Sequence, residues 1–244
     1  MRYGTATDRG LIRTNNEDSF AVVVDGERLP CAFLVADGMG GHRKGELASR
    51  IAAEYVSRRL EESLDGQDDP EEVAALLKEI VEKANVKVYL GSLESEENRG
   101  MGTTLTLAVL MRDAVVVAHV GDSRAYLLRG PALMRITVDH TLVQELIDAG
   151  TLHPDDVRTH PKRNVLTRAL GVPEYMTPEC FTVAVGKGDR FLLCTDGLHH
   201  EADEEDIRTV LRRERTPEAA AQRLVELANR SGGEDNVTVV AIYL

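Results

Sequence analysis

Apolar positions in this chain change period several times, and each change marks an element. RYGTATDRG (2–10), DSFAVVVDG (18–26) and PCAFLVADG (30–38) read as strands. The second alternates and is rich in β-branched residues, whereas the third is a continuous apolar run. Over 44–64, and again from Pro70 to the YLGSL stretch, apolar residues recur every three or four positions, the pattern of helices with one buried face. Polar DGQDD joins the two. A β-rich block follows: TTLTLAVLM, AVVVAHVGD, SRAYLLRG and ALMRITVD. Its breaks suit antiparallel turns and are too short for crossover helices. The pattern then predicts a short helix over 141–149, an irregular segment over 150–177, and strands at CFTVAV and RFLLCTD. Helices at about 203–213 and 216–230 precede a last strand, NVTVVAIYL.

The resulting order is β, αα, βββ, loop, ββ, αα, β. Helices come in pairs around a β-rich centre, which predicts an α+β fold of four layers, α-β-β-α: two antiparallel sheets flanked by pairs of antiparallel helices. No linker is long enough to divide the chain, so 1–244 reads as one domain.

Composition narrows the function classes. The chain has 244 residues, 43% of them hydrophobic and 29% charged, as in ordinary globular proteins. Its net charge of −12 argues against nonspecific binding to nucleic acid or an anionic membrane. Apolar runs are far short of a membrane span and the N-terminus lacks a signal-peptide core, so the expected location is cytoplasmic. Cys31, Cys180 and Cys194 all sit in apolar segments and are expected to be buried, reduced thiols. None has Arg six positions on, as a cysteine-nucleophile phosphatase loop requires, and none has zinc-finger spacing.

The acids carry the chemistry. Glu17 and Asp18 in RTNNEDSF, Asp37 in VADGMGG, Asp122 in HVGDSR, Asp196 in CTDGL and Asp235 in SGGEDNVTVV all adjoin apolar strands, most of them beside glycine. Any one could be an ordinary turn residue. Five such sites on separate strand ends call for neutralising cations, and an all-oxygen set favours Mg²⁺, Mn²⁺ or Ca²⁺. Arg13, five residues before Asp18, is a candidate phosphate clamp.

These segments resemble a known family. RTNNEDSF, VADGMGGH, GTTL, VGDSRAYLLR, VDHTLV, HPKRNVLTRALG, CTDGL and GGEDNVTVV stand in the order and spacing of the metal-dependent Ser/Thr protein phosphatases of the 2C type (PPM family), bacterial single-domain type, across essentially the whole chain. The resemblance implies hydrolysis of phosphoserine and phosphothreonine on proteins by water activated at a binuclear Mn²⁺/Mg²⁺ centre. It implies that Asp37 bridges the two ions and that the Gly38 carbonyl binds one. Asp196 and Asp235 would complete the first ion's shell, and Glu17 and Asp18 would serve the second. Asn236 would support them, Arg13 would hold the phosphate, and Asp122 would help bind a third, weaker ion. The segment over about 146–170 matches a flap beside the site, where Arg158, Lys162, Arg163 and Arg168 would attract phosphorylated substrates. Expected partners are phosphorylated proteins and an opposing Ser/Thr kinase with its substrates, and the chain is expected to be monomeric.

Two positions depart from the family pattern. Some members carry a general-acid His after the first Asp-Gly; here the residue is Met39, so the proton would come from metal-bound water, the leaving group's surroundings or another His, with His42 and His160 as candidates. Four positions after Asp196, relatives commonly carry an acid, and this chain has His200, a candidate ligand that would retune the third metal site. The alternative for His199 and His200 is a solvent-facing pair at a helix start. Two other functions compete: a non-catalytic or narrowly partner-specific phosphoprotein-binding member of the fold, and a structural cation-binding domain. Retention of Asp18, Asp37, Asp196 and Asp235 disfavours the first, and Arg13 the second.

Overall fold

The strand Cys31–Met39 buries both of its faces, which is why its sequence is continuously apolar. Cys31, Phe33 and Val35 point into one apolar cluster, while the intervening Ala32, Leu34 and Ala36 point into another. The computed structural model describes residues 1–26, 28–40, 44–172 and 174–244. In chain order its strands are β1 (Arg2–Asp8), β2 (Asp18–Val23), β3 (Cys31–Met39), β4 (Gly102–Thr103), β5 (Leu105–Leu110), β6 (Ala114–Val120), β7 (Arg124–Arg129), β8 (Ala132–Arg135), β9 (Glu179–Ala184), β10 (Arg190–Cys194) and β11 (Val237–Tyr243). The helices are α1 (Lys44–Ser63), α2 (Pro70–Leu93), α3 (Leu142–Asp148), α4 (Asp196–His199), α5 (Glu204–Arg213) and α6 (Pro217–Ser231).

Two antiparallel sheets form, ordered β1-β11-β10-β7-β8 and β2-β3-β5-β6-β9, with β4 added to β3. Three apolar clusters separate four layers. One lies between the sheets and includes Phe33, Val117, Phe191 and Val240. A second packs α1 and α2, through Val56, Leu60, Leu77 and Ile80, on the sheet containing β3. The third packs α5 and α6, through Ile207, Leu211 and Leu224, on the sheet containing β11. Fully burying each such side chain stabilises by about 1.5–3 kcal/mol. This is the predicted four-layer α-β-β-α sandwich. Among the described residues, no helix is long and apolar enough to cross a membrane.

Three local expectations need correction. The RFLLCTD strand ends at Cys194, and Asp196 instead opens the short α4, with Thr195 at its N-cap position. Cys180 is exposed because β9 is an edge strand with one face outward, whereas Cys31 and Cys194 are buried. His199 is not solvent-facing: α4 packs against β11, leaving His199 only 6% exposed.

Candidate active site

Pairing of β2 with β3 sets Asp18 directly opposite Asp37. Like charges in that position repel, so the register itself calls for a neutralising partner. The loop before β2 brings Glu17, the β6–β7 turn brings Asp122, α4 brings Asp196, and the approach to β11 brings Asp235. All lie at one end of the sandwich. Arg13, Glu17, Asp37, Gly38, Asp122, Asp196 and Asp235 line one cavity of about 330 Å³.

Specific neighbours hold three of the acids, Glu17, Asp37 and Asp18. Asn236 accepts from the Glu17 amide at 2.8 Å and donates to the carbonyls of Arg9 (2.9 Å) and Asn15 (2.8 Å), pinning the loop that carries Arg13. The Asp37 amide donates to Thr104 Oγ1 at 2.9 Å, and that hydroxyl meets Ser123 Oγ at 2.7 Å. Asp18 lies behind the cavity: its Oδ2 accepts from the hydroxyls of Thr195 (2.8 Å) and Thr238 (2.6 Å). Gly38 and Gly45 meet where α1 begins. A Cβ on Gly45 would sit 2.5 Å from both the Gly38 carbonyl oxygen and Glu17 Oε2, so this approach requires glycine.

Burial raises the affinity of these carboxyls for protons. Asp18 is pushed up to about 7 by burial, against the pull of the Thr238 and Thr195 hydroxyls. Asp37 is raised well above the usual carboxylate range by burial, then by Asp196, Asp18 and Asp122. Burial and Asp196 also raise Asp122 and Asp235, with Arg13 partly opposing the effect at Asp235.

Among the described residues, no three His, Cys, Asp or Glu side chains form a finished ligand set by themselves. The chemistry of the donors nevertheless fits hard divalent cations. The acids repel one another, and Asp18 Oδ1 and Asp196 Oδ1 are buried with no hydrogen-bond partner. Backbone carbonyls and water are the usual remaining ligands of such ions.

The other predicted residues fall outside this cavity. His200 lines a neighbouring cavity of about 430 Å³, which shares Asp122 with the first, and its Nδ1 lies 3.3 Å from Asp196 Oδ2. The buried His199 donates from Nε2 to the Asp122 carbonyl at 2.9 Å, and burial lowers its pKa. Arg158 and Arg163 line the neighbouring cavity, and Arg168 pairs with Glu179 at 3.1 Å. Lys162 is exposed and His160 half-buried, and His160 Nδ1 accepts from the Lys162 amide at 3.2 Å. His42 lies outside the described residues. Met39 lines the catalytic cavity, and no described lining residue is a histidine.

Sequence reading missed Thr195 and Thr238 as partners of Asp18, and Asn164 in the cavity wall. The weak signal for the threonines is a hydroxyl residue at the end of β10 and another near the start of β11, next to the acids.

Comparison with known proteins gives one family. A profile of protein phosphatase 2C matches residues 12–235. The chain is 39% identical over 236 residues to the serine/threonine phosphatase stp of Listeria monocytogenes serotype 4b (strain F2365), covering 97% of this chain and 93% of that protein. The crystal structure of the Mycobacterium tuberculosis serine/threonine phosphatase PstP/Ppp superposes with a TM-score of 0.87 at 38% identity, covering 99% of this chain and 98% of that one. A structure of the PstP catalytic domain in complex with 2 manganese ions gives 0.85 at 37% identity, covering 98% and 96%.

Proposed function

The chain belongs to the protein phosphatase 2C family, and from that membership we propose that it hydrolyses phosphoserine and phosphothreonine on proteins by direct attack of water at a two-ion centre. The observation that carries this reading is the convergence of Asp37, Asp196 and Asp235 from distant segments onto one cavity beside Arg13, with Asp18 buried behind.

In this reading Asp37 would serve both ions and the Gly38 carbonyl one of them. Asp196 and Asp235 would hold one ion, and Glu17 with Asp18 would serve the other. Bound Mn²⁺ or Mg²⁺ supplies the Lewis acidity that makes water a nucleophile near neutral pH and offsets phosphoryl charge. Arg13 grips two phosphoryl oxygens with parallel N–H donors and orients phosphorus for in-line attack. Thr195 and Thr238 hold Asp18 in place, Asn236 fixes the Arg13 loop, and Thr104 fixes the Asp37 backbone. With Met39 where a general acid stands in some relatives, the leaving alkoxide draws its proton from water. Asp122 and His200, which share the neighbouring cavity, would serve a third ion. The segment over about 146–170 forms the substrate-side flap of a domain spanning 1–244. The substrates are phosphorylated proteins, and an opposing kinase supplies them.

Single-turnover hydrolysis of a phosphothreonine peptide in ¹⁸O-water tests the chemistry. One ¹⁸O in the released phosphate, with no phosphorylated protein after acid quench, is expected. A trapped phosphoenzyme would overturn direct water attack.

A further inference from the structure

Two residues of the 150–177 segment, Asn164 and Leu166, line the catalytic cavity. The backbone explains why these two do. The Leu142 amide donates to the Val165 carbonyl at 2.8 Å, the Thr167 amide donates to the His140 carbonyl at 2.9 Å, and Thr141 pairs with Leu166 in an antiparallel bridge. An extended stretch sends alternate side chains to opposite faces. Residues 164 and 166 therefore share the cavity face, while Val165 is 45% exposed and does not line the cavity. The bridge to the His140–Leu142 stretch gives this wall a fixed support.

The charged part of the lining is Arg13 and five acids, Glu17, Asp37, Asp122, Asp196 and Asp235, and its chemistry suits cations and a phosphoryl group. Asn164 differs from these, and also from Asn236, whose carboxamide is already engaged by Glu17, Arg9 and Asn15. The Asn164 carboxamide is neutral, with one acceptor oxygen and two N–H donors, and it makes no hydrogen bond to a described residue. That set complements a peptide group, which offers one N–H and one C=O. Leu166 beside it presents apolar surface suited to side-chain carbons.

We propose that Asn164 is a specificity-determining residue that hydrogen-bonds the main chain of the phosphorylated segment, with Leu166 packing against the carbons of the residue that bears the phosphate. The proposal rests on the phosphatase reading and extends it: the cavity recognises a phosphorylated peptide, and not only its phosphate.

The test is steady-state kinetics of the Mn²⁺-loaded full chain on two substrates, a phosphothreonine peptide and p-nitrophenyl phosphate, which has no peptide group. Asn164→Ala is expected to lower kcat/KM for the peptide about tenfold, mainly through KM, the size of one hydrogen bond lost at a partly dry site. Its activity on p-nitrophenyl phosphate should stay at the wild-type level, and Asn164→Gln should restore part of the peptide activity. Equal losses on both substrates would overturn the proposal by placing Asn164 on the phosphoryl group or in the scaffold. An unimpaired peptide reaction would overturn it as well. A wild-type chain inactive on both substrates would refute the phosphatase reading itself, so the two failures are distinct.

Discussion

Arg13 Nη2 lies 2.7 Å from Asp235 Oδ2, joining the residue that grips phosphate to one that holds a metal ion in the proposed site. The side chains are 51% and 28% exposed, so the pair itself adds little stability, about 0.2–1 kcal/mol. Its consequence is functional. In the proposed site, a cation held by Asp235 would compete for the same carboxylate and leave the guanidinium available to the substrate.

Arg13→Ala should therefore lower kcat/KM on phosphopeptides about 100-fold while barely moving the thermal midpoint. Arg13→Lys should recover only a small part, because a single ammonium cannot make two parallel hydrogen bonds. Steady-state kinetics beside a melting curve separates these effects. Full activity in Arg13→Ala would remove the clamp role.

Thr195 and Thr238 both donate to Asp18 Oδ2, leaving Oδ1 for a ligand. Replacing either by Val keeps the shape and removes a hydroxyl that favours the ionised acid. Mn²⁺ affinity should fall about 10- to 100-fold, as for other partners that orient metal ligands. Calorimetric titration of the chelated and refilled variants measures this directly. Wild-type affinity in both would contradict the assigned role of Asp18.

Chelated protein should lose stability as pH rises. Asp18 titrates near about 7 in the folded chain against 3.8 in the unfolded one, and Asp37 and Asp122 shift in the same direction. Between those values the folded state binds more protons than the unfolded state, so deprotonation on raising the pH favours unfolding. The melting midpoint in EDTA should be lower at about pH 8 than at about pH 5, and Mn²⁺ should raise it more at the higher pH. A midpoint in EDTA that rises with pH over this window would contradict the buried-acid account.

Gly45→Ala tests the close approach of α1 to the site. The added methyl would lie 2.5 Å from the Gly38 carbonyl oxygen and from Glu17 Oε2, forcing the Gly38 backbone and the Glu17 side chain to shift. A stability loss of about 1–3 kcal/mol is expected from such overpacking, together with weaker metal binding. Urea denaturation with a parallel Mn²⁺ titration provides the check, and unchanged values for both would show that the contact relaxes freely.

Much of this architecture is legible in the sequence because burial on two faces leaves a strong local mark. The unbroken apolar run at β3 and the three- and four-residue spacing in α1 and α2 each specify an element without distant help. The acids are legible as candidates because each interrupts an apolar segment. Their partnerships are not. The Asp18–Asp37 register depends on pairing, and the hydroxyls on Asp18 arrive from residues 177 and 220 positions away in the chain. Exposure of Cys180 depends on β9 being an edge strand, which its alternation alone does not reveal. Burial of His199 depends likewise on the packing of α4.

The most direct test is release of phosphate from a phosphothreonine peptide by chelated protein as Mn²⁺ is added back, in the wild type and in Asp37→Asn. Wild-type activity should be absent in EDTA and return with Mn²⁺, whereas Asp37→Asn should stay inactive and bind fewer ions while remaining folded. Full activity in EDTA, or wild-type turnover and stoichiometry in Asp37→Asn, would contradict catalysis at these acids.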